Sequence, residues 1–437
     1  MTSPASPRWP LPDPRAPGQI DQDRPAVRAQ VSKLTSPDGR GGTPAADRIG
    51  VVQRMIARQR ASGTGTPFDV LMQNNRPVLI ARHELVVGAG HESYQAADRP
   101  GRKVRIQRVP DAQDVNRLLA EAKTLRDQEI SANVNPMVPL GYVIKGDAYP
   151  GLTSVALGQF PAGAIDPSVR VAIIDTGRFQ GDRGDGWSTG VEAKGVDLLD
   201  EVAPKNRNDF FAGHGTFTAG VVRQISAACE IAVYRFTGND GLGTDTAAAE
   251  AMLRAAADGA GKRLIINASF GVPAVDGVPP IALRQAVEDI AATYPEVLIV
   301  ASAGNDGTDE PIYPAAFGDL VRAVGALNPD LTRAGFSNFG PWVDCSTVGV
   351  GIVSTFVPGT LPPEPDLGPT IVFPEDSWAT WSGTSFTAPQ ISGAVAHLCT
   401  QAAGLSPKAA YTQLVAGRAM ASGVGAVVHL LPGTDPG

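Results

Sequence analysis

At 437 residues, with 43% hydrophobic and 6% aromatic side chains and a net charge of -7, the chain is long enough for two domains and too weakly charged to point to nucleic acid or a membrane surface. Its three cysteines, Cys229, Cys345 and Cys399, are an odd set without C-x-x-C spacing. That argues against a disulfide framework or a structural zinc site, and predicts buried free thiols suited to a reducing compartment. The opening residues lack a basic-then-apolar leader, and no apolar run reaches the roughly 18 residues of a membrane span, so the expected location is cytoplasmic.

In chain order, residues 1–43 are Pro-rich, poor in apolar side chains and without periodicity. They read as a disordered, mildly basic arm, either solvated or docking a partner. Residues 44–145 read as a small α+β N-terminal domain. Ile49, Val52, Met55 and Ile56 fall at helical spacing, and Val78–Ile80 and Leu85–Val87 read as two strands around a polar break. Val104–Val109 alternates like a half-buried strand. Val115, Leu118, Leu119, Ala122 and Leu125 mark one helical face with Asp111 as its N-cap, and a further strand is expected over Pro139–Ile144.

Across residues 146–437 the pattern changes. The runs Val171–Ile174, Ile231–Tyr234, Leu264–Ile266 and Val297–Val300 alternate with helical stretches Thr246–Asp258 and Pro280–Thr293. Near-continuous apolar strands are those covered on both faces, so the expected class is α/β, a doubly wound, mostly parallel sheet. Its functional edge would be the carboxyl ends of the strands. The Pro- and acid-rich stretch Val357–Ser377 reads as a long surface insertion.

Four local contexts carry chemistry. Asp175 ends the strand VAIID at the turn Asp175-Thr176-Gly177, where a carboxylate could orient a histidine. His214 lies in Gly213-His214-Gly215-Thr216 at the start of an apolar-periodic helix. Ser385 lies in Ser382-Gly383-Thr384-Ser385-Phe386-Thr387-Ala388-Pro389. A Pro is tolerated only in a helix's first turn, so Ser385 is expected at a helix N-terminus, where backbone N–H groups favour an oxyanion. Asn305 follows the strand VLIV in Ala301-Ser302-Ala303-Gly304-Asn305-Asp306-Gly307 and offers an amide donor. Taken singly, each is more often a cap, a turn or a structural residue.

Together, DTG, GHGT, AGND and SGTSFTAP in this order resemble the subtilase family over residues 150 to 425 or so; the Asp, His, Ser order is the one the general triad rule assigns to subtilisin. The resemblance implies a serine endopeptidase with Asp175, His214 and Ser385 as triad and Asn305 in the oxyanion hole. It implies a peptide-binding groove between Gly241-Leu242-Gly243 and Ser269-Phe270-Gly271, with Ser302, Ala303 and Gly304 lining the primary pocket. Protein or peptide substrates follow from it; no cofactor, nucleic acid or membrane is expected. The alternatives are a non-catalytic peptide-binding pseudoprotease and a small-molecule acyl hydrolase, the latter lacking a G-x-S-x-G elbow.

Two departures stand out. Val221–Cys229 leaves no room for the calcium loop common in secreted relatives, so no strong calcium site is expected; Asp182 and Asp185 read as solvated turn residues. Residues 44–145 stand where such relatives carry an inhibitory propeptide. They can be read as a retained accessory domain, a cleaved propeptide or a structural extension, with a largely full-length protein expected.

Overall fold

The computed structural model describes residues 9–35, 65–88, 104–140, 149–200, 207–361 and 370–437, apart from positions 75, 111, 113, 156 and 162, together with residues 57 and 63. The expected helix around Ile49–Ile56 lies outside the described residues.

The first element corrects the expectation of a disordered arm. Pro17–Thr35 forms a 19-residue helix, α1, whose buried residues are Asp23, Val27, Gln30 and Leu34. Their spacing is that of one helical face. Two of the four are polar, so the face carries no apolar period for the sequence to reveal. Pro17 sits at the first helical position, where its missing N–H is no loss.

The N-terminal domain is built on antiparallel strands. β1 (Phe68–Gln73), β2 (Arg76–Gly88), β3 (Val104–Arg108) and β4 (Ala132–Pro139) join through β1–β2, β2–β3 and β2–β4 pairs. The two short strands expected at Val78 and Leu85 are one long strand. The polar break between them is a register shift between Ile80 and Leu85, with His83 at φ 63°. Helix α2 (Val115–Asp127) packs Val115, Leu118, Ala122 and Leu125 onto this sheet. Its N-cap is Asp114, whose side chain accepts from the Arg117 N–H, in place of the expected Asp111. The last strand, expected over Pro139–Ile144, runs earlier as β4; residues 141–148 are outside the described residues. Its buried asparagines hid it. Asn133 donates to the carbonyls of Val275 and Val278, and Asn135 donates to Glu84.

The larger sheet has nine strands. In chain order these are β5 (Asp166–Asp175), β6 (Val191–Ala193), β7 (Cys229–Arg235), β9 (Arg263–Ala268), β10 (Leu298–Ser302), β11 (Arg322–Leu327), β12 (Cys345–Val348), β14 (Met420–Ala421) and β15 (Gly425–Val427). Among the strands outside it, β8 (Leu242–Thr244) pairs with β4, and β13 (Trp378–Trp381) belongs to a small separate sheet. The spatial order is β14-β15-β12-β11-β10-β9-β5-β7-β6, and every neighbouring pair except β14–β15 is parallel.

Alternation along β5 divides the core. Val171 and Ile173 face the cluster holding Phe217, Val221, Ile391 and Val395; Ala172 and Ile174 face the cluster holding Ala248, Met252, Leu283 and Val287. Helices α3 (His214–Ile225) and α6 (Ala388–Gln401) thus cover one face, and α4 (Asp245–Asp258) and α5 (Ile281–Thr293) the other. A last helix, α7 (Pro407–Val415), packs beside α6. The insertion 357–377 is not purely superficial. Gly359–Leu361 pairs with Ile371–Phe373, and Val357, Leu361 and Phe373 are buried in the first cluster; residues 362–369 are outside the described residues.

Helix α5 begins at a Pro280 N-cap that supplies no side-chain acceptor. The carboxylate of Asp245, first residue of α4, accepts from the N–H groups of Ala282 and Leu283 at 2.9 and 2.8 Å. Complete burial pushes this carboxyl up to about 7 despite those two bonds. Replacing it with Ala orphans two buried donors. Asp245→Ala is expected to lose about 2–4 kcal/mol of stability, and Asp245→Asn less, because one acceptor survives. Urea unfolding in an inactive background measures this; a loss under about 0.5 kcal/mol for the Ala variant would refute the capping role.

Candidate active site

Parallel strands deliver their loops to one edge, and the predicted residues converge there. Asp175 ends β5 with no exposed surface, and His214 opens α3 at 2% exposure. His214 Nδ1 lies 2.8 and 2.9 Å from the two Asp175 carboxylate oxygens. The Thr176 N–H donates to Asp175 Oδ1 at 2.7 Å, and the Thr218 hydroxyl reaches Oδ2 at 3.5 Å. The approach of α3 to the Asp175 turn requires glycine: a Cβ on Gly215 would lie 2.2 Å from the Gly177 carbonyl oxygen. Phe211, Trp381 and Phe386 ring the imidazole at 5.9, 5.4 and 5.3 Å between centroids.

Ser385 sits in the 3-10 turn Thr384–Phe386 that leads into α6. Its hydroxyl lies 3.3 Å from the carbonyl oxygens of Leu140 and Ser269, and is hydrogen-bonded there and not to His214. Asn305 is fixed by its carbonyl end. Its Oδ1 accepts from the Thr384 N–H and hydroxyl, both at 2.9 Å, which leaves Nδ2 as the donor end. Thr384 is a positioning residue the motif reading passed over, although it stands inside SGTS.

The substrate-binding expectations divide. Gly243 and Leu242 pair with Val138 and Pro139, and the Gly241 carbonyl accepts from the Leu140 N–H at 3.0 Å. On the other side the Gly271 N–H donates to the Pro139 carbonyl at 3.4 Å. Ser269 donates its hydroxyl to the Ser385 carbonyl at 2.8 Å, and Phe270 is buried against Phe236. Ser302 and Gly304 line the adjoining cavity with Asn305, Asp306 and Thr384. Ala303 is a correction: it is fully buried, its N–H bonded to the Val324 carbonyl, and it does not line the cavity. Residues one apart on extended backbone face opposite ways.

The same cavity is lined from the N-terminal domain by Arg76, Pro77 and Leu79. The Arg76 guanidinium lies 3.5 Å from Glu310 and 3.9 Å from Asp306, whose side chain is 6% exposed. Asp309 stands apart, its backbone carbonyl accepting from Trp342. Asp182 is exposed beside Arg178, and Asp185 pairs with Arg183 at 2.6 Å. Among the described residues no group of three or more His, Cys, Asp or Glu is gathered for a metal, and no helix is long and apolar enough to cross a membrane. All three cysteines are buried and free.

Sequence reasoning missed Asp197, in the loop after β6. Its Oδ2 accepts from the Thr176 hydroxyl at 2.9 Å and the Gly213 N–H at 2.8 Å, and so ties the Asp175 turn to the residue before His214. The stretch GVDLLD carries no signal for this. Burial pushes its carboxyl up to about 7, against the bonds it accepts and with Asp175 nearby adding to the rise. The folded state therefore holds a proton that the unfolded chain gives up near 3.8. The stability this group contributes is complete below that pH and is lost as pH rises through about 7. Asp197→Asn is expected to flatten the Tm-against-pH curve between those limits, measured in a Ser385→Ala background. Superimposable curves would refute it.

Residues 167–426 match the model of the subtilase family. Thermitase of Thermoactinomyces vulgaris is 30% identical over 243 residues, covering 53% of this chain and 75% of the relative. Subtilisin BL of Lederbergia lenta is 30% identical over 193 residues, covering 42% of this chain and 62%, less than two thirds, of the relative. The solved structure of a lanthipeptide protease aligns at 22% identity with a TM-score of 0.49, covering 60% of this chain and 85% of the other. With more than half its length matched by one family model, and with that family's motifs gathered at the carboxyl edge of its sheet, this chain belongs to the subtilase family.

Proposed function

We propose that the chain is a serine endopeptidase held latent by its own N-terminal domain. The observation that carries this is the path of β4. It lies between the two expected groove edges as an added antiparallel strand, and ends with the Leu140 carbonyl 3.3 Å from Ser385 Oγ. A groove that takes an extended backbone in this way favours a peptide substrate over a small ester. The assembled Asp175–His214 pair favours a catalyst over a peptide-binding pseudoprotease.

In the proposed mechanism Ser385 Oγ attacks the carbonyl carbon and His214 takes its proton. Asp175 fixes the imidazole tautomer and stabilises its charged form. Asn305 Nδ2 and the Ser385 N–H receive the oxyanion. His214 then protonates the leaving amine, and water, deprotonated by His214, releases the acyl group. For this the Ser385 hydroxyl must turn from the Leu140 and Ser269 carbonyls to His214. The three buried thiols suit action in a reducing compartment such as the cytoplasm.

The position of β4 also favours the propeptide reading of residues 44–145 over the full-length product expected from sequence. Wild-type protein is expected to cut itself at or just after Leu140, visible as new fragments by intact mass. Ser385→Ala should remain whole and lose fluorophosphonate labelling. A processed Ser385→Ala protein, or labelling of it at the wild-type rate, would overturn the assignment.

The cavity beside Asn305 suggests a preference. In the intact chain Arg76 faces its acids; once that domain is withdrawn, Asp306 and Glu310 can receive a substrate cation. Peptides with Arg before the scissile bond are expected to give a kcat/KM at least about fivefold above Leu at low salt, a gap lost on combining Asp306→Asn with Glu310→Gln. Equal values for Arg and Leu would remove the preference.

A further inference from the structure

The N-terminal residues fall into two groups that grip the peptidase domain on different elements. Residues 65–140 hold the cleft through β4. Residues 9–35 hold β13, the chain's C-terminal segment and the backbone entering the nucleophile turn. Val27 and Leu34 are buried in the same cluster as β5 and α6. Arg15, its side chain 2% exposed, pairs with Asp13 at 2.8 Å and Asp23 at 3.2 Å, and donates to the Thr434 hydroxyl and the Gly433 carbonyl. The Leu11 N–H donates to the Leu430 carbonyl at 2.9 Å.

Gln30 is the member closest to the chemistry. It is 3% exposed. Its Nε2 donates to the Tyr149 and Thr380 carbonyls at 2.8 and 2.9 Å, and its Oε1 accepts from the Ser382 hydroxyl at 2.7 Å. Ser382 Oγ in turn accepts from the Gly351 N–H at 3.0 Å. Ser382 stands three residues before Ser385. Between them are Gly383 at φ 152°, a conformation few other residues adopt, and Thr384, which orients Asn305.

We infer that residues 9–35, which lie outside the segment matched by the family model, are a permanent part of the catalytic unit, and that Gln30 is a positioning residue for the nucleophile turn. This rests on the peptidase reading. When the strand in the cleft is cut, the strap α1 stays in place. Its anchors are buried and satisfied, and withdrawing it would take the acceptors from the buried Ser382 and Thr153 hydroxyls, take the donor from the Thr380 carbonyl, and empty the places that Val27 and Leu34 fill in the core. Loss of the Gln30 bond frees Ser382 and lets the turn carrying Ser385 and Thr384 relax, while the groove edges at Gly241–Gly243 and Ser269–Gly271 keep their shape.

Two measurements on the full-length gene product test this. First, the peptidase-active peak from native gel filtration is opened in denaturant and weighed. Residues 9–35 are expected in equimolar amount, whether still joined to the chain or as a separate fragment; an active species lacking them overturns the inference. Second, active sites of wild type, Gln30→Ala, Ser382→Ala and the double variant are titrated with a fluorophosphonate, and turnover is expressed per titrated site. Gln30→Ala is expected to lower kcat per site about tenfold with KM unchanged, and the double variant to fall no further than the lower single variant. A merely structural role would reduce the number of titratable sites and leave kcat per site unaltered, which sinks the positioning role. A wild type that neither labels nor turns over peptide fails at the peptidase reading instead.

Discussion

An open peptide-binding groove is a pair of unfilled strand edges, and backbone N–H and C=O groups left unpaired away from water are costly. The constraint on this molecule is how those edges are filled. Gly241–Gly243 and Gly271 present the edges, and β4 fills them from the same chain. Other features follow. β4 must be extended up to Ser385, so it can have no helix or tight turn in its last residues. Alternation along it sends Ala132 and Val134 into the core of the N-terminal domain and Asn133 and Asn135 to the opposite, also buried, face. The bonds from Asn133 to the Val275 and Val278 carbonyls and from Asn135 to the Thr246 hydroxyl form only when the domain is docked.

Buried acids organise the other side of the site. Asp175, Asp197 and Asp245 are all shut away from water, yet none of the three is paired with an Arg or Lys. Asp175 accepts from the Thr176 N–H of its own turn, whereas the other two accept backbone N–H groups at or near a helix start: Asp197 from Gly213, ahead of α3, and Asp245 from the first turn of α5. A helix N-terminus carries partial positive charge, and its free N–H groups are the natural partners for a carboxylate without a counter-ion. The arrangement also separates roles. Asp175 meets the imidazole, while Asp197 holds the two backbone segments on which Asp175 and His214 stand.

Where apolar periodicity and short motifs dominate, the fold was legible from sequence. The runs beginning at Val171, Ile231, Leu264 and Val297 are the central parallel strands, because burial on both faces leaves no polar position to blur them. DTG, GHGT, AGND and SGTS point to the site because each combines a reactive side chain with glycines that the close approach of backbones requires. The misses share a cause. The buried face of α1 reads Asp, Val, Gln, Leu, and β4 buries asparagines, so hydropathy hides both. Arg76 and Gln30 act through partners more than a hundred residues away, and Asp197 through bonds to the Thr176 hydroxyl and the Gly213 N–H; none of these leaves a local pattern.

On the proposed latent reading, the two attachments of the N-terminal segment set the order in which latency would be lost. A cut near Leu140 breaks only the link on the C-terminal side of the inhibitory domain. On its other side that domain is still joined along the chain to α1, and α1 is anchored in the peptidase core by Val27 and Leu34. The freed strand end therefore faces its groove as an intramolecular ligand. Rebinding is then intramolecular and competes with escape at a high effective concentration. Contacts outside the groove add to this: Arg126 with Asp276 at 2.6 Å, and Gln73 with the backbone at Ala274 and Asp276. One scission then produces a cut but still occupied enzyme. Opening the cleft requires the link to α1 to be severed or the domain itself to unfold. Because α1 holds to the peptidase domain through its own buried anchors, either event can clear the groove without disturbing the turn that carries Ser385.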